Sequence, residues 1–465
     1  MSWFGIDAAH AGAAALVVAL YAAMCGAILL RERRRLRGAQ AQRLALARGG
    51  AQDGDARPTL VVYASQTGAA QRLAWQTAGA LHGAGMALRV EALGALTPDD
   101  LNGCRAALFI VSTCGEGDAP DNAAGFVRRF MGDGGAALAG LRYGLLALGD
   151  REFARFCAFG RRVDEWLQAQ GAQALFERIE VDGLQPDALH RWQHELGRVA
   201  SVGQALTWTR EAPSPWRLAA RRHLNAGGTG GPVYHLELEP PADAGAAAAW
   251  ESGDLVRVHL PGPAQRPREY SIASTADAGR VHLLVRLERR ADGGPGLASG
   301  WLTQDAALGD EIALTLLPHA NFRLGANADR PLVLVGNGTG IAGLRAHLAA
   351  RAAAGQRRNW LVFGERQCAH DFHFGADVEA WQAAGVLERV DLAFSRDQAA
   401  KVYVQDKLRD AADAVRAWLA DGAAIYVCGS LEGMATGVEG ALVEIVGRAE
   451  VDRLIDLGRY RRDVY

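Results

Sequence analysis

Three short apolar runs, TLVVYA at 59–64, ALFIVST at 107–113 and YGLLALGD at 143–150, each break off into a turn rich in glycine or hydroxyl groups, and a helix-like stretch follows each. A strand is apolar throughout only when both its faces are covered, so this alternation predicts a parallel sheet between two layers of helices. Ligands of such sheets lie beyond the carboxyl ends of the strands. The three turns are therefore expected to meet at one site. In the first, Ser65, Gln66, Thr67, Gly68 and Ala69 set hydroxyls and successive amides at a helix start, which suits a phosphate monoester. The Gly-Lys-Ser/Thr ending of a triphosphate loop is missing, which argues against ATP. The second turn carries Ser112, Thr113, Cys114, Gly115, Gly117 and Asn122; the third carries Leu148, Gly149, Asp150, Phe153, Phe156 and Cys157 and brings aromatic rings.

The remainder has another texture. At 465 residues the chain exceeds one ordinary core, and about three domains are expected. VYHLELE at 233–239 and LVRVHLP at 255–261 alternate with a period of two, the pattern of an antiparallel barrel. REYSIAS follows, where Arg268, Tyr270, Ser271 and Ile272 alternate so that a cation, a ring and backbone groups can meet one flat, charged ligand. Gly296, Ala298 and Ser299 lie where small residues turn into a helix, and free amides there suit a diphosphate. In PLVLVGNGTGIAG at 331–343, Gly338 and Thr339 open a second strand-turn-helix with G-x-G-x-x-G spacing, a weak signal when taken alone. Further on, Ser395, Arg396, Lys401, Tyr403 and Gln405 combine hydroxyl, cations and ring in a way that suits a 2′-phosphate.

A formal net charge of -2 gives no reason to expect nucleic acid as a partner. The six cysteines are scattered, without a C-x-x-C pair or clustered histidines, so neither a disulfide framework nor a metal site is expected. Residues 11–30 are free of charge, and twenty helical residues span about 30 Å, the thickness of a bilayer core. RERRRLR at 31–37 follows at once, which predicts a single-pass anchor in the inner (cytoplasmic) membrane with the catalytic domains in the cytoplasm. Residues 38–58 read as a linker.

SQTG, STCGEGD and LGDREF followed by FCAFGRRVD resemble the FMN domain of the diflavin reductases, and the barrel with REYSIAS is similar to the FAD-binding barrel of the ferredoxin reductase family. The resemblance extends over 59–465. It implies FMN, FAD and NADPH as cofactors, and a multidomain α/β and β fold: an N-terminal transmembrane helix, a flavodoxin-like doubly wound parallel sheet, an antiparallel FAD-binding β-barrel and a Rossmann-like NADP-binding α/β domain. The divisions expected are anchor 1–37, linker 38–58, FMN domain 59–206, hinge 207–215, barrel 216–325 and NADPH domain 326–465. By the same resemblance the three turns hold FMN, Arg268 meets the FAD phosphate, Tyr270 packs on the flavin and Ser271 stands at its reactive edge. Cys428 falls beside the nicotinamide, and Asp463 and Tyr465 form a terminus like that of the sulfite reductase flavoprotein, with the last ring over FAD. Cys114 and Phe153 stand where relatives often have tyrosine, Gly343 stands where they usually have proline, and a long helical connecting insert is absent.

The function this implies is a membrane-anchored NADPH-dependent diflavin reductase. Electrons pass from NADPH through FAD and FMN to a one-electron acceptor, either a haem or metalloprotein or a ferric chelate. Two other readings stay open: the flavoprotein component of sulfite reductase, and a flavin-based redox sensor or scaffold without turnover, to which Cys114 and Gly343 lend support.

Overall fold

Six strands, β1 (Thr59–Ala64), β2 (Leu88–Ala92), β3 (Ala106–Ser112), β4 (Arg142–Gly149), β5 (Gln173–Ala174) and β6 (Ile179–Asp182), form a parallel sheet in the order β2-β1-β3-β4-β5, with β6 also paired to β4. They belong to a computed structural model that describes residues 57–465 apart from 133–136, 152, 209–211, 243–248 and 263–265. Helices α1 (Ala69–Gly83), α2 (Asp121–Phe130), α3 (Ala158–Ala169) and α4 (Pro186–Val199) supply the covering layers. One layer buries Phe109, Phe126 and Trp166, the other Ile110, Leu146 and Trp192. Trp192 is fully buried, and its indole N–H donates to Thr77 Oγ1 at 3.0 Å, so the large ring is enclosed without an orphaned polar group.

The second sheet is antiparallel. Its strands β7 (Ser214–His223), β8 (Val233–Glu239), β9 (Leu255–His259), β10 (Arg268–Ser271), β11 (Val281–Arg286) and β12 (Glu311–Leu317) run in the order β10-β9-β12-β7-β8-β11. The two end strands come together just past β10, where Ala273 N–H donates to His282 O at 2.8 Å. Alternation explains the burial: Leu236, Leu238 and Leu283 point into a core with Trp216 and Trp250.

The third sheet is again parallel, β13 (Leu332–Asn337), β14 (Asn359–Glu365), β15 (Arg389–Phe394), β16 (Ala424–Gly429) and β17 (Tyr460–Val464), in the order β15-β14-β13-β16-β17. After β13 the chain turns through Gly338, at φ +56°, into α5 (Ile341–Ala353). A Cβ on Gly340 would collide with the Cys428 carbonyl, so that turn needs glycine in order to lie against β16.

One expectation requires correction. The membrane-spanning helix expected at 11–30 lies outside the described residues, and no helix among the described residues is long and apolar enough to cross a membrane. The longest, α1, has 15 residues and buries one face on the sheet; it rises about 22 Å, short of a hydrocarbon core of about 30 Å. The architecture is therefore stated without a transmembrane element, as two parallel α/β sheets and one antiparallel sheet. The placement at the inner membrane, which rested on that element, is withdrawn with it.

Candidate functional site

Strands β16 and β17 pair in parallel with Cys428 opposite Asp463. From β10, the Ser271 hydroxyl donates to Asp463 Oδ2 at 2.7 Å, and Cys428 Sγ lies 3.8 Å from the same oxygen. All three side chains are buried. Burial, reinforced by the Asp463 charge, pushes the Cys428 thiol well above its usual range, so it stays protonated at neutral pH. Gly343 packs against this group: a Cβ there would stand 3.3 Å from Cys428 Sγ and 3.2 Å from the Phe322 ring. The glycine reflects close approach.

Two cavities open on either side of the C-terminal residue. One, of about 730 Å³, is lined by Arg268, Tyr270, Ser271, Gly296, Ala298, Ser299 and Asp463. The other, of about 680 Å³, is lined by Gly338, Ser395, Tyr403 and Gln405. Thr339 and Tyr465 line both. The Tyr465 backbone is pinned, its N–H donating to Gly429 O at 3.1 Å and its carbonyl accepting from Leu431 N–H at 3.0 Å. The residue as a whole is 59% exposed, and its hydroxyl lies 3.2 Å from that of Thr339. Ile272 points instead into the antiparallel core, and the exposed Arg396 and Lys401 do not line the second cavity. Sequence reasoning missed Arg366, which lines the second cavity, and Arg286, which lines both and is ion-paired with Glu365. Strand β11 predicts an outward Arg286, but its meeting with Glu365 depends on how two sheets pack.

The three turns of the first sheet do converge. Ser65 N–H donates to Asn122 Oδ1 at 2.9 Å, Thr113 N–H to Leu148 O at 3.0 Å, and Phe159 N–H to Thr113 Oγ1 at 3.2 Å. Ser112 Oγ donates to Ala64 O at 3.2 Å, and the Cys114 thiol, pushed up by burial, lies 3.9 Å from Gln66 Oε1. Gly115 and Gly117 adopt positive φ, and Gly149 sits tightly on buried Cys157. Phe153 is exposed, while the Arg151 guanidinium stands 4.5 Å over the Phe156 ring.

These turns face the rest of the chain. Asn321 Nδ2 donates to Ser65 O at 2.6 Å, and His319 Nε2 is 2.9 Å from Gln66 O. Arg266 bridges Asp150 at 2.8 Å and Asp182 at 2.6 Å. Arg462 of β17 pairs with Asp121 at the start of α2 and with Glu439 at 2.8 Å. Thr67 lines the same cavity as Tyr270 and Tyr465.

The donor sets fit two flavins and a dinucleotide. The Ser65 hydroxyl is buried without a partner beside the N-terminus of α1, whose first turn has no acid and whose cap, Gly68, has φ +84°. That combination accommodates the FMN phosphate. In the first cavity a cation, a ring and the Leu297–Ser299 amides suit FAD, the Gly296 N–H being engaged on Glu288 O at 2.7 Å, and in the second the buried, unpartnered Gln405 Oε1 beside Ser395 and Arg366 suits NADPH.

Comparison with known proteins agrees with this geometry. The family model for flavodoxin matches residues 61–192, and that for the oxidoreductase NAD-binding domain matches 334–440. The chain is 31% identical to the sulfite reductase (NADPH) flavoprotein alpha-component of Thiocapsa roseopersicina, over 83% of each chain. It is 28% identical to that of Mannheimia succiniciproducens, over 87% of this chain and 89% of the relative, and 28% identical to that of Vibrio cholerae, over 87% of each. The last two alignments run to 534 positions, more than the 465 residues here, so those relatives carry segments this chain lacks. The chain belongs to the diflavin reductases, NADPH-dependent flavoprotein oxidoreductases that use FMN and FAD.

Proposed function

We propose that this protein is the electron-supplying flavoprotein of an NADPH sulfite reductase, delivering electrons to a haemoprotein partner. What carries the reading is similarity over 83% or more of both chains to proteins named as that component. When bound, NADPH supplies a hydride, FAD splits the pair into single electrons, and FMN passes them on. The protein's part is to hold and to orient. Asp463, fixed by its register on Cys428, accepts the Ser271 hydrogen bond and so sets that hydroxyl at the wall of the first cavity. Cys428, expected beside the nicotinamide, is fully buried and lines neither cavity, so as a neutral thiol its part is to back Asp463, the carboxylate that holds Ser271.

Tyr465 occupies the boundary of the two cavities. Its backbone is pinned while its side chain is held only by the Thr339 hydroxyl, so a swing of the ring with the strand in place would make it the gate between nicotinamide and flavin. Tyr270, which lines the first cavity, would pack on the flavin there. Arg268 with Gly296, Ala298 and Ser299 would hold the diphosphate, and Ser395, Tyr403 and Gln405, with Arg366 beside them, would hold the 2′-phosphate end, the exposed Arg396 and Lys401 standing outside the cavity. The first sheet's turns hold FMN. We take 59–206, 216–325 and 326–465 as the domain divisions, each enclosing one sheet.

Reconstitution tests the acceptor. Flavin-replete protein mixed with a sulfite reductase haemoprotein and NADPH is expected to form sulfide from sulfite. Turnover of ferricyanide with no sulfide formed would refute the proposed partner.

A further inference from the structure

His235 and Glu237 alternate onto one face of β8, and β11 pairs with β8 so that His282 stands directly opposite Glu237. This face is turned away from the core that buries Leu236, Leu238 and Leu283. The two imidazole rings lie 4.9 Å apart, and the Phe374 ring closes over His235 at 5.3 Å. His235 is only 7% exposed, yet its Nε2 is buried without a hydrogen-bond partner, as is Nδ1 of His282. A buried imidazole nitrogen left unsatisfied is destabilising. Two unpartnered nitrogens thus lie on neighbouring rings, with the Glu237 carboxylate on the same face.

We infer that His235, Glu237 and His282 form a binding site for a zinc-class divalent cation, separate from both flavin sites. One ligand atom from each side chain lies within 4.8 Å of the other two. Tetrahedral zinc holds its ligand atoms roughly 3.3 Å apart, so small side-chain rotations close the site around the ion. Two imidazoles and one carboxylate suit zinc with water as the fourth ligand, whereas calcium and magnesium want an all-oxygen shell.

The charges nearby permit it. Arg280 takes Glu237 Oε2 at 2.8 Å and orients that carboxylate. The Arg345 guanidinium is engaged elsewhere, on Asp377 Oδ2 at 2.7 Å and Ala273 O at 2.6 Å. Burial holds His235 down to about 4, and it lowers His282 as well, so both rings are in the neutral, ligating form at pH 7. None of the three lines the two cofactor cavities. The ion would therefore act as a staple between β8 and the edge strand β11, which carries Arg286 to both of them.

The test uses the full chain with its flavins bound, stripped with a chelator, dialysed, and titrated with Zn²⁺ alone in a calorimeter. One equivalent is expected to bind, and His235→Gln and His282→Gln are each expected to weaken it about tenfold or more with flavin content unchanged. Zinc X-ray absorption on the unaltered chain supplies a readout that does not depend on variants folding: two imidazoles and no sulfur are expected around the metal. Absence of stoichiometric binding, equal binding in both variants, or a cysteine sulfur on the ion would overturn the site. Because the readout is metal ligation, its failure is distinct from failure to make sulfide.

Discussion

Arg462 on the last strand grips the carboxylate of Asp121, 341 residues earlier, with two guanidinium nitrogens. Asp121 opens the helix that follows the second FMN turn, and Arg462 lies one residue before Asp463. One ion pair thus ties the FMN loops to the strand that carries Asp463 and leads into Tyr465. Its neighbours act in the same direction: His319 and Asn321 hold the first turn, and Leu431 packs on Gly115.

Removing this grip should loosen the contact between the parallel FMN sheet and the other two. Charge-assisted bidentate pairs contribute about 1.5–3 kcal/mol, and Arg462 and Asp121 are only 20% and 18% exposed. Arg462→Ala is expected to increase the radius of gyration in small-angle scattering and to slow reduction of the second flavin. Scattering identical to that of the unaltered protein would show that the pair does not hold the two parts together.

Ser271→Ala deletes the hydroxyl that Asp463 orients while leaving the fold and flavin binding in place. A misplaced or missing positioning group costs roughly 10²-fold in rate. Pre-steady-state reduction by NADPH should slow by about that factor, with flavin content unchanged. An unchanged rate would remove Ser271 from the reaction.

Arg366 stands in the second cavity, whereas Arg396 does not line it. Arg366→Ala should raise the KM for NADPH at least about tenfold more than the KM for NADH, because a guanidinium acts chiefly on the 2′-phosphate. Arg396→Ala should act in the same sense but more weakly. Equal losses with both nucleotides would remove either residue from that role.

Glu365 gives a pH signature. Burial would raise it, but the His373 side chain and Arg286 overcome burial and hold the carboxyl down to about 2. A carboxyl depressed in the folded state contributes stability that is full above its unfolded value of 4.5 and is lost as pH falls toward 2. Glu365→Gln should therefore cost on the order of 2–3 kcal/mol at neutral pH and flatten the fall of Tm across that acid window. A variant whose Tm falls with pH as steeply as the parent's would contradict this.

What was legible in the sequence was local. Each turn of the first sheet follows its own strand, so Ser65, Asn122 and Thr113 could be placed before their contacts were known. Strand alternation likewise put Arg268, Tyr270 and Ser271 on a strand edging the first cavity. Features that depend on register between distant strands were not legible. Arg286 meets Glu365 across two sheets, and His235 meets His282 across paired strands. Apolar composition misled in the other direction, since it yielded a membrane span that no described helix supplies.

The relay from the second cavity through the first to the FMN turns is tested by mixing flavin-replete protein with NADPH under anaerobic conditions in a stopped-flow spectrometer. Bleaching of both flavins in two successive phases, the second slowed in Arg462→Ala, is the expected result. Bleaching of one flavin only, or of neither, would contradict it.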